Sequence, residues 1–125
     1  TDMRIPIQYA LSFPERWDSP VETINFCDLG SIHFDKPDFE NFPCLRLAFE
    51  AGKKGGTLPC VMNAVNEIAV SEFLNKRIGY CDIPRIIETC MDAHLSNLDD
   101  IQNIGQIKDV DRWARHFTAD YARSL

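Results

Sequence analysis

The stretch Gly55–Asn75, GGTLPCVMNAVNEIAVSEFLN, limits the possible fold more than any other part of the chain. It opens on two glycines and a nearby proline. Apolar side chains then cover well over half of a helical circumference: Val61, Met62, Ala64, Val65, Ile68, Ala69, Val70, Phe73 and Leu74. Asn63, Asn66, Glu67 and Ser71 fall at offsets of three, four and eight and form one narrow polar stripe. A helix apolar on most sides must be enclosed by other elements. It is expected at the centre of a helical cluster, with Ile68 in the core, where a buried aspartate would unfold the bundle.

The flanking sequence falls into two textures. Residues 1–38 hold one short helical possibility, Ile5 to Phe13, with Pro6 tolerated in its first turn and Pro14 ending it. Ile24-Asn25-Phe26 and Ile32-His33-Phe34 alternate around Asp28-Leu29-Gly30, a pattern that predicts two short strands and a turn. An isolated two-stranded ribbon is marginal in water, so 1–38 is expected to be an extended arm that lies against something else. Residues 39–125 are helical in pattern. Pro43 suits a first turn, and Leu45, Leu47, Ala48, Phe49 and Ala51 make a stripe that ends at Lys53, Lys54 and the glycines. Asp82 is placed as an N-cap with Pro84 behind it, leading Ile83, Ile86, Ile87, Cys90, Met91 and His94. Ser96 to Gln106 is polar, with a short helical turn around Asp99–Ile104, and a last helix runs from Asp109 through Val110, Trp113, Ala114, Phe117 and Tyr121. The expected class is mainly α: an antiparallel bundle of about four helices over 39–125, preceded by the arm.

Composition narrows the partners. A net charge of −6 argues against nucleic acid and anionic membrane surfaces. No apolar run approaches the roughly 20 residues that span a bilayer, and the opening TDMRIPIQYALSFPERW lacks the pattern of a targeting segment. The five cysteines, without a CxxC, are expected to be reduced structural thiols.

Chemistry-bearing motifs are sparse. Dinucleotide, Walker, zincin, nucleophile-elbow and calcium-loop patterns are all missing from the sequence. His33, His94 and His116 stand far apart and are expected to be packing or surface residues. The Asn63/Asn66/Glu67 stripe is expected to hydrogen-bond neighbouring segments or face water. Asp99-Asp100 is expected to be solvated or to cap a helix, and Gly55-Gly56-Thr57 to form an interhelix turn and not a phosphate cradle.

Three blocks, taken in order, resemble one family. They are Asp2-Met3-Arg4-Ile5-Pro6-Ile7-Gln8-Tyr9-Ala10-Leu11, then Phe34-Asp35-Lys36-Pro37-Asp38-Phe39 with Phe42-Pro43-Cys44-Leu45, then Asn63-Ala64-Val65-Asn66-Glu67. The family is 1-deoxy-D-xylulose 5-phosphate reductoisomerase, and the resemblance covers the chain, weakening after about residue 95. It implies a longer enzyme that uses NADPH and Mg2+ or Mn2+ to convert 1-deoxy-D-xylulose 5-phosphate to 2-C-methyl-D-erythritol 4-phosphate in non-mevalonate isoprenoid synthesis. It further implies a homodimer, in the bacterial cytoplasm or a plastid stroma.

This chain resembles only the end of the catalytic domain (1–38) and the C-terminal helical domain (39–125). The metal-binding carboxylates and phosphate-binding residues of the family lie upstream, so no catalytic residue and no metal ligand is expected here. One site residue carries over: Met3, the methionine of the DMR motif, expected beside the nicotinamide ring. Many relatives have a proline between the threonine and aspartate of this segment, whereas Thr1 here precedes Asp2 directly. The implied role is structural, inactive in isolation. The alternative is a free-standing helical module that binds a partner protein through an exposed apolar groove.

Overall fold

The computed structural model describes residues 2–125, and the chain divides into two compact units, Thr1–Lys36 and Pro37–Leu125. The first contains α1 (Arg4–Ser12) and the single-turn α2 (Phe26–Leu29). Few bonds hold it together. Gln8 Nε2 donates to the Asp18 carbonyl at 2.7 Å, Ser12 Oγ to the Glu15 carbonyl at 2.9 Å, and the Arg16 guanidinium lies 3.9 Å from the centre of the Tyr9 ring. Apolar side chains along its whole length face outward, Phe34 at 90% exposure.

The two strands expected around Asp28 do not form, and among the described residues there is no strand. Asn25 is the reason for the first. Its side chain accepts from Cys27 N–H at 3.0 Å and donates to Asp28 Oδ2 at 2.6 Å, so local bonds replace those of a ladder. The Gly30 N–H, at φ +72°, closes the turn on the Phe26 carbonyl. The second segment, Ile32-His33-Phe34, stays irregular with its side chains exposed.

The second unit is the expected helical bundle: α3 (Pro43–Lys54), α4 (Leu58–Leu74), α5 (Asp82–His94), a 3₁₀ turn (Leu95–Asn97) and α6 (Ile104–Ala122). Pro43 and Pro59 occupy first-turn positions of α3 and α4, where a missing N–H costs nothing. Gly55, at φ +70°, ends α3 by donating to the Ala51 carbonyl at 3.0 Å. α4 packs against α3, α5 and α6, as its near-continuous apolar surface requires. Val61, Ala64, Val65 and Ala69 are fully enclosed, against Leu47 and Ala51 from α3, Ile86, Ile87 and Cys90 from α5, and Ala114 from α6.

Three local expectations need correcting. Ile68 is half-buried and not at the core, because the fully enclosed face of α4 runs through positions 61, 64, 65 and 69. Asp82 is the first residue of α5 and not its cap; its carboxylate reaches back to accept the Gly79 N–H at 2.8 Å. α6 begins at Ile104, five residues before Asp109, and no helical turn forms at 99–103. Asn103 Oδ1 accepts Gln106 N–H at 2.9 Å while Gln106 Oε1 accepts Gln102 N–H at 2.8 Å, a reciprocal arrangement of the capping-box kind. All five cysteines are free. Burial pushes the Cys90 thiol up to about 12, which keeps it protonated and inert.

Candidate functional site

Met3 flanks α1 between two charges that bind each other. Arg4 Nε and Nη2 donate to the Asp2 carboxylate at 3.0 and 2.6 Å, and Arg4 N–H adds a third bond at 2.9 Å. The guanidinium holds the Asp2 carboxyl below its ordinary range. The clasp joins residues on either side of Met3, which is itself 70% exposed. A polarisable sulfur held on a preset turn is suited to lie against a flat ring.

The polar stripe of α4 is an interhelix tie. Asn63 Nδ2 donates to Glu67 Oε1 at 3.0 Å, and Arg115 Nη2 of α6 donates to Glu67 Oε2 at 2.7 Å. Arg115 Nε also donates to Asp111 at 2.8 Å, so one guanidinium bridges two carboxylates. The bond from Arg115 is the main cause holding the Glu67 carboxyl below its ordinary range, and Asn63 adds to it. Asn66 leaves this network and lines a different feature. That feature is an open groove of about 910 Å³ walled by Phe42, Leu45 and Ala48 from the α3 side and Tyr80, Ile83 and Pro84 from the α5 side. Arg46 bridges Glu50 on its own helix and Glu88 on α5, each at 2.9 Å, and ties α3 to α5.

Of the histidines, His33 and His116 are exposed, and His116 Nδ1 donates to the Arg112 carbonyl at 2.7 Å. His94 is different. Only 4% exposed, it places Nε2 2.8 Å from Thr57 Oγ1 and its ring 5.2 Å from that of Trp113. The glycine turn is likewise occupied by protein: Thr57 N–H donates to the Asp99 carbonyl at 3.1 Å, and a Cβ on Gly56 would stand 2.5 Å from that oxygen. The Gly55-Gly56-Thr57 backbone therefore serves a neighbouring chain segment where a phosphate would otherwise sit. Asp99 and Asp100 are both exposed. Among the described residues, no group of three or more His, Cys, Asp or Glu side chains is placed to hold a metal ion. Also among the described residues, no helix is long and apolar enough to cross a membrane.

Comparison with known proteins gives these features a context. The sequence model of the family described as DXP reductoisomerase C-terminal domain matches residues 1–117. The chain is 46% identical over 119 residues to a 1-deoxy-D-xylulose 5-phosphate reductoisomerase from Heliobacterium modesticaldum, covering 95% of this chain and 30% of the relative. It is 48% identical over 120 residues to the enzyme of that name from Prosthecochloris aestuarii, covering 94% of this chain and again 30% of the relative. The chain thus spans about a third of the length of the curated relatives it matches. Among solved structures, the Zymomonas mobilis reductoisomerase in complex with NADPH superposes with a TM-score of 0.89 at 41% identity, covering 99% of this chain and 32% of that one. A reductoisomerase in complex with magnesium gives 0.87 at 34% identity, covering 99% of this chain and 33% of that one. The chain belongs to the DXP reductoisomerase C-terminal domain family.

Proposed function

We propose that this polypeptide is the C-terminal part of an NADPH- and divalent-metal-dependent reductoisomerase acting on 1-deoxy-D-xylulose 5-phosphate, and that its contribution is structural. The family match and the length ratio of about one to three support the reading. The observation that carries it is the surface of the first unit. Ile5, Ile7, Leu11, Phe13, Trp17, Ile24, Phe26, Ile32 and Phe34 are all exposed, more large apolar side chains than so short a segment is expected to leave in water without a partner. On this reading 1–38 lies against the upstream catalytic domain and 39–125 buttresses it, in a homodimeric enzyme of the bacterial cytoplasm or a plastid stroma.

The described residues present no group of three or more His, Cys, Asp or Glu side chains placed to hold a metal ion, and on this reading the metal is held by the two thirds of the enzyme that this chain does not span. They do fit a limited contact with NADPH. The nucleotide supplies the hydride that reduces the rearranged substrate, and Met3 would set one face of the nicotinamide while the Asp2–Arg4 clasp fixes its backbone.

The test is a turnover assay with the deoxyxylulose phosphate, NADPH and Mg2+. The chain alone is expected to be silent, and adding the upstream two thirds of a relative is expected to yield turnover that Met3→Ala weakens chiefly through the KM for NADPH. Turnover by the chain alone would overturn the structural role. Tight capture of an unrelated partner, with no effect on turnover, would favour the free-standing module instead.

A further inference from the structure

We propose that the groove between the starts of α3 and α5 docks an extended, uncharged apolar peptide segment, one residue of which pairs through its backbone N–H and C=O with the side-chain amide of Asn66. All of the lining belongs to the second unit. To the apolar walls from the α3 and α5 sides, α4 adds Asn66 and Val70. The walls are preset. Pro43 fixes the backbone in the first turn of α3, and the Tyr80 ring packs edge-on against Phe73 with their centres 5.6 Å apart.

Asn66 gives this apolar surface a specific polar demand. Its neighbours on the polar stripe, Asn63 and Glu67, are bonded to each other and to Arg115. Asn66 is half-buried, and among the described residues its side chain has no hydrogen-bond partner. No side-chain polar atom sealed from solvent lacks a partner among those residues, so the Asn66 amide stays open to the outside, in the lining of the groove. A molecule that covers this amide without bonding it leaves a donor and an acceptor dehydrated, which is costly. An extended chain meets the demand, because each residue presents its own N–H and C=O on one edge, as in a sheet ladder. A helix has spent those groups internally, and a plain hydrocarbon has none.

The charges favour the same occupant. Arg85 donates to Asp82 at 2.8 Å, Glu88 accepts from Arg46 at 2.9 Å, and Asn41 donates to Asp38 at 2.6 Å, so these lining side chains are already engaged. Glu40 also lines the groove and is in no ion pair among the described residues. A carboxylate or phosphate finds no free cation here, and the apolar walls reward uncharged side chains.

The experiment titrates the whole chain, followed by NMR, with short capped peptides that carry leucine, valine or phenylalanine between serines. Matched peptides replace each backbone amide in turn by an ester, which keeps the shape and the carbonyl but loses the N–H. Shifts are expected at the Asn66 side-chain N–H protons, Val70 and Ile83. At one position the amide is expected to bind about tenfold more tightly than the ester. Asn66→Leu is expected to abolish that preference while weak apolar binding persists. If this variant does not fold, the amide and ester titrations of the wild type, read at the Asn66 protons, decide the matter. Four results would overturn the proposal: groove resonances that no peptide moves, equal binding of amide and ester at every position, a preference that survives in Asn66→Leu, or groove resonances that shift on dilution of the chain alone, which would identify a second copy as the occupant.

Discussion

Gly56 and Gly52 make opposite predictions from the same residue type. Gly56 sits at φ +54° with the Asp99 carbonyl where its Cβ would be, so Gly56→Ala strains the backbone and pushes the connection away. A loss of about 1–3 kcal/mol is expected, read as a lower urea midpoint. Gly52 lies inside α3, on an ordinary helical backbone, and a methyl added there would meet nothing within 4 Å. Gly52→Ala is expected to stabilise by about 0.5–1 kcal/mol, since alanine loses less backbone freedom in a helix. The sequence places Gly52 in a helical stripe and Gly56 in a turn, but the carbonyl that fills the space of a Gly56 Cβ arrives from residue 99 only in the folded chain. His94 teaches the same lesson, since nothing in local spacing pairs it with Thr57, 37 positions away.

At the scale of elements, α4 and its neighbours carry the stability. Ile87 on α5 is completely buried, and Ile87→Ala is expected to cost about 2–5 kcal/mol through lost contacts and the cavity left behind. Ile68→Ala, on the half-buried flank of α4, should cost clearly less, and thermal melts of the two variants check the ranking. The Glu67–Arg115 tie between α4 and α6 predicts a pH effect of definite sign. Glu67 has a folded pKa below its ordinary value, so its contribution is present above about pH 4.3 and is lost as pH falls through the lower folded value. Arg115→Met should remove that part of the acid dependence, measured by urea titrations between pH 3 and 5. The effect is small, because the pair is solvent-exposed and screened.

The helices α3, α4 and α5 were legible from apolar spacing, prolines and glycines. The start of α6 was written in Asn103-x-x-Gln106, a capping signal masked by the polar run around it. The strands failed at Asn25, where a short amide competes with the ladder and no partner strand stands ready to win. The polar stripe was visible as a stripe, but its partner Arg115 was not, since a charge on α6 is drawn to Glu67 only once both helices are packed.

For the molecule as a whole, the unequal surfaces of the two units are the main fact. Phe26 and Phe34 are exposed at 75% and 90%, so replacing both with serine should leave the melting temperature nearly unchanged, within about 0.5 kcal/mol of stability. The same variant should bind less of an apolar fluorescent dye and dock more weakly with the upstream portion of a relative. A large drop in melting temperature would show that these rings support the fold of this chain instead of awaiting a partner.

The sequence by itself determined the mainly-α class, the central place of 58–74 and the family, because apolar periodicity and short unusual strings are local properties that need no third dimension. Tertiary structure alone decided which glycine tolerates a methyl, which polar groups of α4 meet α6, and which of three histidines is enclosed. Those outcomes depend on distances between residues dozens of positions apart, and such distances exist only after the helices have packed.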